Sequence, residues 1–376
     1  MRGYPTCVPT DAEIRSALVA VIDPELRRSV VELDMVRRVA IDGSAVAVTI
    51  ALTVAGCPMK ANLEQQVREH VGGVAGVGSV AVDFGVMTPA ERTALRERLG
   101  AGDREDKQLS LSPRTRVIAV ASGKGGVGKS TLTANLAVAL AATGSEVGVV
   151  DADIYGYSIP RMLGVSRRPV VVDKMIVPPV NHDVRIMSIG FFVDDDRAVV
   201  WRGPMLHRAL EQFLSDVHWG ELDYLVVDMP PGTGDISISL GQLLPSPDLL
   251  VVTTPQPAAQ RVAMRAAEVA GKTGMRVAGV VENMSHAVCA CCGEVSYPFG
   301  RGGGEQLAAE LGVPLLGQVP LDEPLRIAAD TGRPLVRSHP QAASAIAIAA
   351  LAAAVPRALR PRSAAERIRK PLSVMS

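Results

Sequence analysis

The stretch Gly123-Lys124-Gly125-Gly126-Val127-Gly128-Lys129-Ser130 has the composition and order needed to hold a phosphate chain. Glycines let a backbone wrap round an anion where side chains would clash. An apolar run, Val117 to Ala121, precedes the stretch as a buried parallel strand would, and Lys129-Ser130-Thr131 opens a segment with helical spacing. Strand, glycine loop and helix in that order are the setting the P-loop pattern G-x-x-x-x-G-K-[ST] requires. Backbone N–H groups from Gly123 to Thr131 and the helix N-terminus would face the anion. Lys129 would reach the β and γ phosphates of a nucleotide, and Ser130 would bind Mg²⁺. Two further strands end in carboxylates: Glu146 to Val150 runs into Asp151-Ala152-Asp153, and Leu225-Val226-Val227 ends in Asp228. Ligands of open α/β sheets bind at such carboxyl ends, and Asp228 is expected to hold Mg²⁺ through water. Met229-Pro230-Pro231-Gly232-Thr233-Gly234-Asp235 comes next, a loop whose glycines permit close approach to the γ-phosphate and rearrangement when it leaves.

A different chemistry is implied by Cys289-Ala290-Cys291-Cys292-Gly293. Cys289 and Cys292 form a C-x-x-C pair, which supplies half the ligands of a tetrahedral metal site or of a [4Fe–4S] cluster. A twofold dimer would supply four sulfurs if this loop lay at its axis. A bridging structural Zn²⁺ meets the same ligand count, and spacing does not separate the two. A thioredoxin-like dithiol is disfavoured, because Gly293, Pro298 and Gly300 come after it and no helix starts there. Cys291 is an extra thiol, and His286 reads as a solvated side chain rather than a ligand. Cys57 stands before Pro58, which is expected to open a helix. Amides and dipole at such a place favour a thiolate, while a small buried thiol is the alternative.

The bulk properties fit two domains. The chain has 376 residues, 48% hydrophobic, with a formal net charge of zero, so no global field draws it to nucleic acid or membrane. The start, Met1-Arg2-Gly3-Tyr4-Pro5, leads into no signal-like apolar segment, which predicts a cytoplasmic protein. The alanine-rich stretch Ala342 to Val355 is too short to span a bilayer. Five cysteines, three of them between 289 and 292, suggest metal or redox chemistry before structural disulfides.

Positioning these residues takes two sets of elements. Residues 1–100 read as a small α+β domain. Helical spacing covers Asp11 to Val21, with Thr10 or Asp11 as cap. A hairpin runs from Val39 to Thr53 around Asp42-Gly43, and a helix from about Met59 to Val71. A strand from Gly78 to Phe84 and a helix from Thr88 to Leu99 complete it. Asp23 and Glu25, around Pro24, are expected to cap and solvate a turn. Residues 101–114 are a polar linker. Residues 115–355 alternate apolar strands and helices, which predicts a mainly parallel sheet flanked by helices. Its later strands are Leu249 to Thr253 and Arg276 to Val281. Gly302-Gly303-Gly304 opens a helix through Leu311 and reads as a flexible hinge. Residues 356–376 form a basic tail, expected to be disordered and without a stable membrane association, since prolines interrupt any amphipathic helix.

The GKGGVGKS loop, with its second lysine Lys124, resembles the deviant Walker A of the MinD/ArsA/nitrogenase-iron-protein class. That resemblance implies that Lys124 crosses a dimer interface and neutralises charge on the partner's nucleotide. It also implies that Asp153 lies near the attacking water, that Asp151 supports Mg²⁺ through its water shell, and that Asn283 meets the adenine edge. For Asn283 a turn-stabilising role is the alternative. Val319-Pro320-Leu321-Asp322 would close over the base from the other side.

Asp23-Pro24-Glu25-Leu26, Val31 to Val36 and Ala55-Gly56-Cys57-Pro58-Met59 resemble the MIP18 (DUF59) family, associated with iron–sulfur cluster assembly, which favours a functional Cys57. Taken with DADIYG, DMPPGTGD, GVVENMS, C-x-x-C-G and FGRGGG, the chain resembles the Mrp/ApbC-type iron–sulfur cluster carrier ATPases over residues 11–340. The family pattern departs at His286-Ala287-Val288 and Ala290. The resemblance implies a slow, Mg²⁺-dependent ATPase, homodimeric, with ATP, Mg²⁺ and a [4Fe–4S] cluster, serving apo iron–sulfur proteins and assembly factors. The competing expectation is a partitioning or positioning ATPase with zinc at the C-x-x-C.

Overall fold

The computed structural model describes residues 8–54, 59–99, 111–153, 156–192, 203–232, 235–289 and 291–361. The chain divides into two compact units, Met1–Gln108 with Val170–Val177, and Leu109–Pro169 with Pro178–Ser376.

The first unit opens with α1 (Asp11–Leu18), capped reciprocally by Thr10 and Glu13, with Ile14 and Leu18 buried. Strands β1 (Val36–Asp42) and β2 (Ala45–Leu52) pair antiparallel across a turn at Gly43, whose φ is +58°. Helix α2 (Lys60–Gly72) then carries the chain over to β3 (Ser79–Val86), which lies parallel to β2. Parallel neighbours need such a crossover, and α2 buries Leu63, Val67 and Val71 along one face. Helix α3 (Pro89–Arg98) has a second capping box, Thr88 with Glu91. At the turn before β1, the Asp23 carboxylate accepts from the N–H groups of Glu25 and Leu26 at 2.9 Å. Asp23 and Glu25 are both buried, so the turn is capped as expected but not solvated.

The second unit begins with β4 (Arg116–Ser122), α4 (Lys129–Ala142), β5 (Val147–Asp151) and α5 (Ile159–Met162). The chain then contributes a small antiparallel hairpin, β6 (Val170–Val172) and β7 (Met175–Val177), to the first unit. Val172, Met175 and Val177 join that unit's core, and Arg96 pairs with Asp173 at 3.1 Å. The second unit resumes with β8 (Val180–Asn181), β9 (Val184–Ser188) and α6 (Gly203–Ser215), then β10 (Tyr224–Asp228), α7 (Asp235–Leu243), β11 (Asp248–Thr253) and α8 (Pro257–Lys272). It closes with β12 (Arg276–Val288), β13 (Val295–Ser296), α9 (Gly303–Leu311), β14 (Leu315–Leu321), α10 (Glu323–Asp330), α11 (Leu335–Ser338) and α12 (Ala343–Ala358).

The sheet order is β13-β12-β11-β4-β10-β5-β9-β8, with β14 also beside β12. Pairing is parallel except for β8 with β9 and β12 with β13. Strand β4 sits between β11 and β10, buried on both faces, so its carboxyl end opens at the sheet's centre.

Three boundaries differ from the sequence expectations. Strand β12 continues to Val288, seven residues past Val281. Helix α2 starts at Lys60 with Met59 as its cap position, later than a helix opened by Pro58. Order continues into the stretch read as tail: α12 ends at Ala358, Leu359 is buried, and Arg360 donates its N–H to Asp248.

Candidate nucleotide site and cysteine loop

The chain leaves β4 at Ser122 and re-enters helix at Lys129. Between them Gly126 and Gly128 take φ of +79° and +77°, the left-handed region open to glycine. Gly123 is required for another reason. A Cβ there would fall 2.3 Å from the backbone of Val262 and Ala263 in α8. Val127 is buried, while Lys124, Gly125 and Gly126 are exposed on the loop's outer turn. The Ser122 hydroxyl donates to the Lys124 carbonyl at 3.0 Å, closing the loop's base. Asn135 donates to the Thr131 carbonyl one turn into α4.

Asp228 ends β10 fully buried and accepts from three side chains: Lys129 Nζ at 2.7 Å, Ser130 Oγ at 2.6 Å and Thr133 Oγ1 at 3.0 Å. Lys129 Nζ also lies 4.0 Å from Asp153. The structure therefore brings Lys129, Ser130, Asp153 and Asp228 together. Asp151 is fully buried beside them. Its Oδ2 accepts from the N–H groups of Ser158 and Ile159 and from the Ser188 hydroxyl, and its Oδ1 from the Asp153 N–H. Burial, then the negative charge of Asp228, pushes its carboxyl up to about 7. Two carboxylates crowded in this way against a hydroxyl and a lysine suit a divalent cation with a phosphate chain. Asp153 accepts from the Gly156 N–H at 3.2 Å. Of the loop after β10, Gly232 donates its N–H to the Ser122 carbonyl at 2.9 Å. Thr233, Gly234 and the Asp235 side chain lie outside the described residues. Thr133 is a site residue that sequence reasoning misses. Its signal is the four-residue spacing from Lys129, which puts both on one helix face.

Asn283 lies inside β12. Its Nδ2 donates to the Val127 carbonyl at 2.8 Å, so this amide touches the P-loop itself. A Cβ at Gly128 would sit 2.3 Å from the same nitrogen. Asp322 holds the start of α12 by accepting from the Ser344 hydroxyl at 2.6 Å. The Gly303-Gly304 pair is closely packed rather than a hinge. A Cβ at Gly303 would meet the Pro255 carbonyl at 2.4 Å, and one at Gly304 would meet the Glu282 Cβ at 2.6 Å. The buried Glu282 carboxylate accepts from the Gly304 N–H at 2.8 Å, so the N-terminus of α9 already has its anion.

Cys289 comes directly after β12. The cysteine segment forms the tip of the β12–β13 hairpin, where Ala287 pairs with Ser296 and Val288 with Val295. Cys289 N–H donates to Glu294, Gly293 N–H donates back to Cys289, and Gly293 takes φ of +73°. The Cys289 sulfur receives the backbone N–H groups of Cys292 and Cys291, which lower its thiol from the ordinary value; the Cys292 thiol adds to this. Cys289, Cys291 and Cys292 are free and exposed. Val288, Val295, Tyr297 and Leu321 expose apolar surface on neighbouring positions. Arg301 lies over the Tyr297 ring at 3.5 Å. His286 Nδ1 is bonded to the Ser285 hydroxyl at 2.9 Å. Cys57 lies outside the described residues.

Comparison with known proteins covers both units. The model of the NUBPL iron-transfer P-loop NTPase family matches residues 114–356, and that of an iron–sulfur cluster assembly protein family matches residues 11–83. An iron–sulfur cluster carrier protein of Mycobacterium tuberculosis (strain ATCC 25618 / H37Rv) is 52% identical over 343 residues, covering 89% of this chain and 90% of that protein. The iron–sulfur cluster carrier protein of Bacillus subtilis (strain 168) is 42% identical, covering 83% and 88%. Among solved structures, a nucleotide-binding protein from Archaeoglobus fulgidus in complex with ADP is 36% identical. Its TM-score is 0.51, over 61% of this chain and 93% of that one.

Proposed function

The chain belongs to the iron–sulfur cluster carrier family of P-loop NTPases, and from that premise we propose that it hydrolyses ATP with Mg²⁺ and carries a [4Fe–4S] cluster between two copies of itself for delivery to apoproteins. The observation that carries this reading is the Cys289–Cys292 tip. An exposed sulfur receiving two backbone N–H groups, on a hairpin flanked by apolar surface, has its thiolate form favoured, and that is the form that binds metal. Among the described residues, no three His, Cys, Asp or Glu side chains of one chain converge on a metal position. Two copies meeting at this hairpin would supply four sulfurs.

In the nucleotide site the Gly123–Thr131 backbone binds the phosphates, and Lys129 exchanges Asp228 for phosphate oxygens. Ser130 and Asp228 would hold Mg²⁺, with Asp151 supporting it through its water shell. Bound Mg²⁺ neutralises the phosphates' negative charge. Asp153 orients the attacking water, and Lys124, exposed on the loop, reaches the partner's nucleotide. Asn283 turns its amide to the base. Strand β12 sets Asn283 against the P-loop and leads into the cysteine tip, consistent with a carrier whose cargo is governed by nucleotide state.

The test is iron and acid-labile sulfide analysis after anaerobic reconstitution. Wild type should bind both, Cys289→Ala and Cys292→Ala should lose both, and Lys129→Ala should lose ATP turnover. Full loading of both cysteine variants rejects the cluster site. Stoichiometric zinc without sulfide supports a partitioning ATPase with a structural metal instead.

A further inference from the structure

Strand β12 touches the P-loop at Asn283, inside the strand, and leads into the cysteine tip at its carboxyl end, and it is irregular between them. Just before Asn283 it is anchored by Glu282, which accepts from Gly304 N–H at 2.8 Å and from Gln318 Nε2 at 2.7 Å, although the register with β14 already shifts once between Val280 and Val281. Beyond Asn283 the register shifts again, by more. Asn283 lies opposite Val319 and Ala287 opposite Leu321, so four residues of β12 are set against two of β14. The surplus is accommodated at Met284, Ser285 and His286. Met284 takes φ of +55°, a left-handed conformation that a side chain such as methionine rarely adopts. Ser285, buried, bridges the irregularity by donating its hydroxyl to the Val319 carbonyl at 3.2 Å. Two surplus residues store about 7 Å of strand length. Strained irregularities of this kind persist where the surroundings hold them, and they re-aim the stretch of strand beyond them.

We propose that the Met284–His286 bulge couples the nucleotide loop to the cysteine tip: a nucleotide on the P-loop changes the Val127–Asn283 contact, and the bulge converts that change into a new presentation of Cys289 and Cys292. This rests on the nucleotide-binding half of the function proposed above and adds its regulation. The link is short. The Val127 carbonyl belongs to the loop whose N–H groups face the phosphates, and Asn283 Nδ2 is 2.8 Å from it. The next residue is the strained one, and Cys289 stands five residues after Met284. With Glu282 fixing the strand on one side, a displacement at Asn283 is relieved towards the tip.

The test uses the full-length chain, metal-free and reduced. Alkylation of Cys289, Cys291 and Cys292 by iodoacetamide is followed site by site with mass spectrometry, with and without MgADP or a non-hydrolysable ATP analogue. Nucleotide should change the rate at Cys289 and Cys292 about fivefold or more in wild type. Met284→Gly removes the backbone strain and lets the bulge absorb movement. At nucleotide concentrations that saturate the variant, the nucleotide effect on alkylation should fall below about twofold. Hydrogen exchange at Gly293 and Val295 in wild type gives a second measurement and should change on nucleotide addition. Equal alkylation rates with and without bound nucleotide in wild type overturn the proposal. So does a full nucleotide effect in Met284→Gly, since protection by dimer formation alone survives that change. Because no metal is present, absence of iron and sulfide after reconstitution would reject the cluster reading and leave this one standing.

Discussion

Asp228→Asn sets two buried electrostatic effects against each other, and the structure says which is larger. Lys129 and Asp228 form an ion pair at 2.7 Å with 6% and 0% of their side chains exposed. Breaking such a pair from one side costs about 3–5 kcal/mol, because the remaining charge stays buried. The same substitution removes the charge that crowds Asp151. The Asp151 carboxyl rises from 3.8 to about 7, equivalent to about 4 kcal/mol at about 1.4 kcal/mol per pH unit. Burial is the larger cause of that rise and Asp228 the second, so relief of repulsion offsets only part of the loss. Asparagine can still accept from Ser130 and Thr133, and Lys129 keeps Asp153 at 4.0 Å. The nucleotide-free variant should therefore be less stable at pH 7, by less than the about 3–5 kcal/mol that breaking the pair alone would cost. Urea unfolding measures it in a Trp201→Phe background, where Trp219, buried in the second unit, alone reports by fluorescence. A variant as stable as the parent, or more stable, would show that Lys129 and Asp228 are not paired as described.

Other expectations concern positions away from the phosphates. Glu91 caps α3 and pairs twice with Arg37, at 2.6 and 2.9 Å, which together with the Thr88 N–H lowers its carboxyl from 4.5 to about 2. A depressed folded value stabilises above the unfolded value, so this contribution is present above about pH 4.5 and is lost as pH falls towards 2. Glu91→Gln should flatten that part of the first unit's acid unfolding curve, followed by circular dichroism; an unchanged curve argues against the pairing. Met175→Ala removes a buried side chain that the β6–β7 hairpin lends to the first unit, and should destabilise that unit by about 2–5 kcal/mol in denaturant titration. Gly304→Ala should cost about 1–3 kcal/mol by overpacking, measured by thermal unfolding, whereas a hinge glycine would tolerate alanine.

The nucleotide site was legible in the sequence because its requirements are local. Left-handed turns need glycines at 126 and 128, the anion needs Lys129 and Ser130 at the start of a helix, and a parallel strand must end in Asp228. Each requirement is met within a few residues, so spacing alone reveals it. What the sequence concealed depends on partners distant along the chain. The glycines at 303 and 304 look like slack until Pro255 and Glu282 are seen against them. Nothing near Asp322 in sequence shows that its carboxylate holds Ser344 at the start of α12. The β6–β7 hairpin reads as part of the unit that surrounds it in sequence, yet Val172, Met175 and Val177 fill the core of the other.

The course of β12 is the most consequential of these. Asn283-Met284-Ser285 interrupts the apolar run that marks a strand, so the strand is read as ending at Val281. It continues because β14 and then β13 supply hydrogen-bonding partners that periodicity cannot anticipate. A strand ending at Val281 would leave the cysteines on a loop attached to nothing. A strand running to Val288 instead places them at the end of the same element that contacts the phosphate loop. The polar interruption that hid the strand is then also the bulge at which movement in one site can be passed to the other.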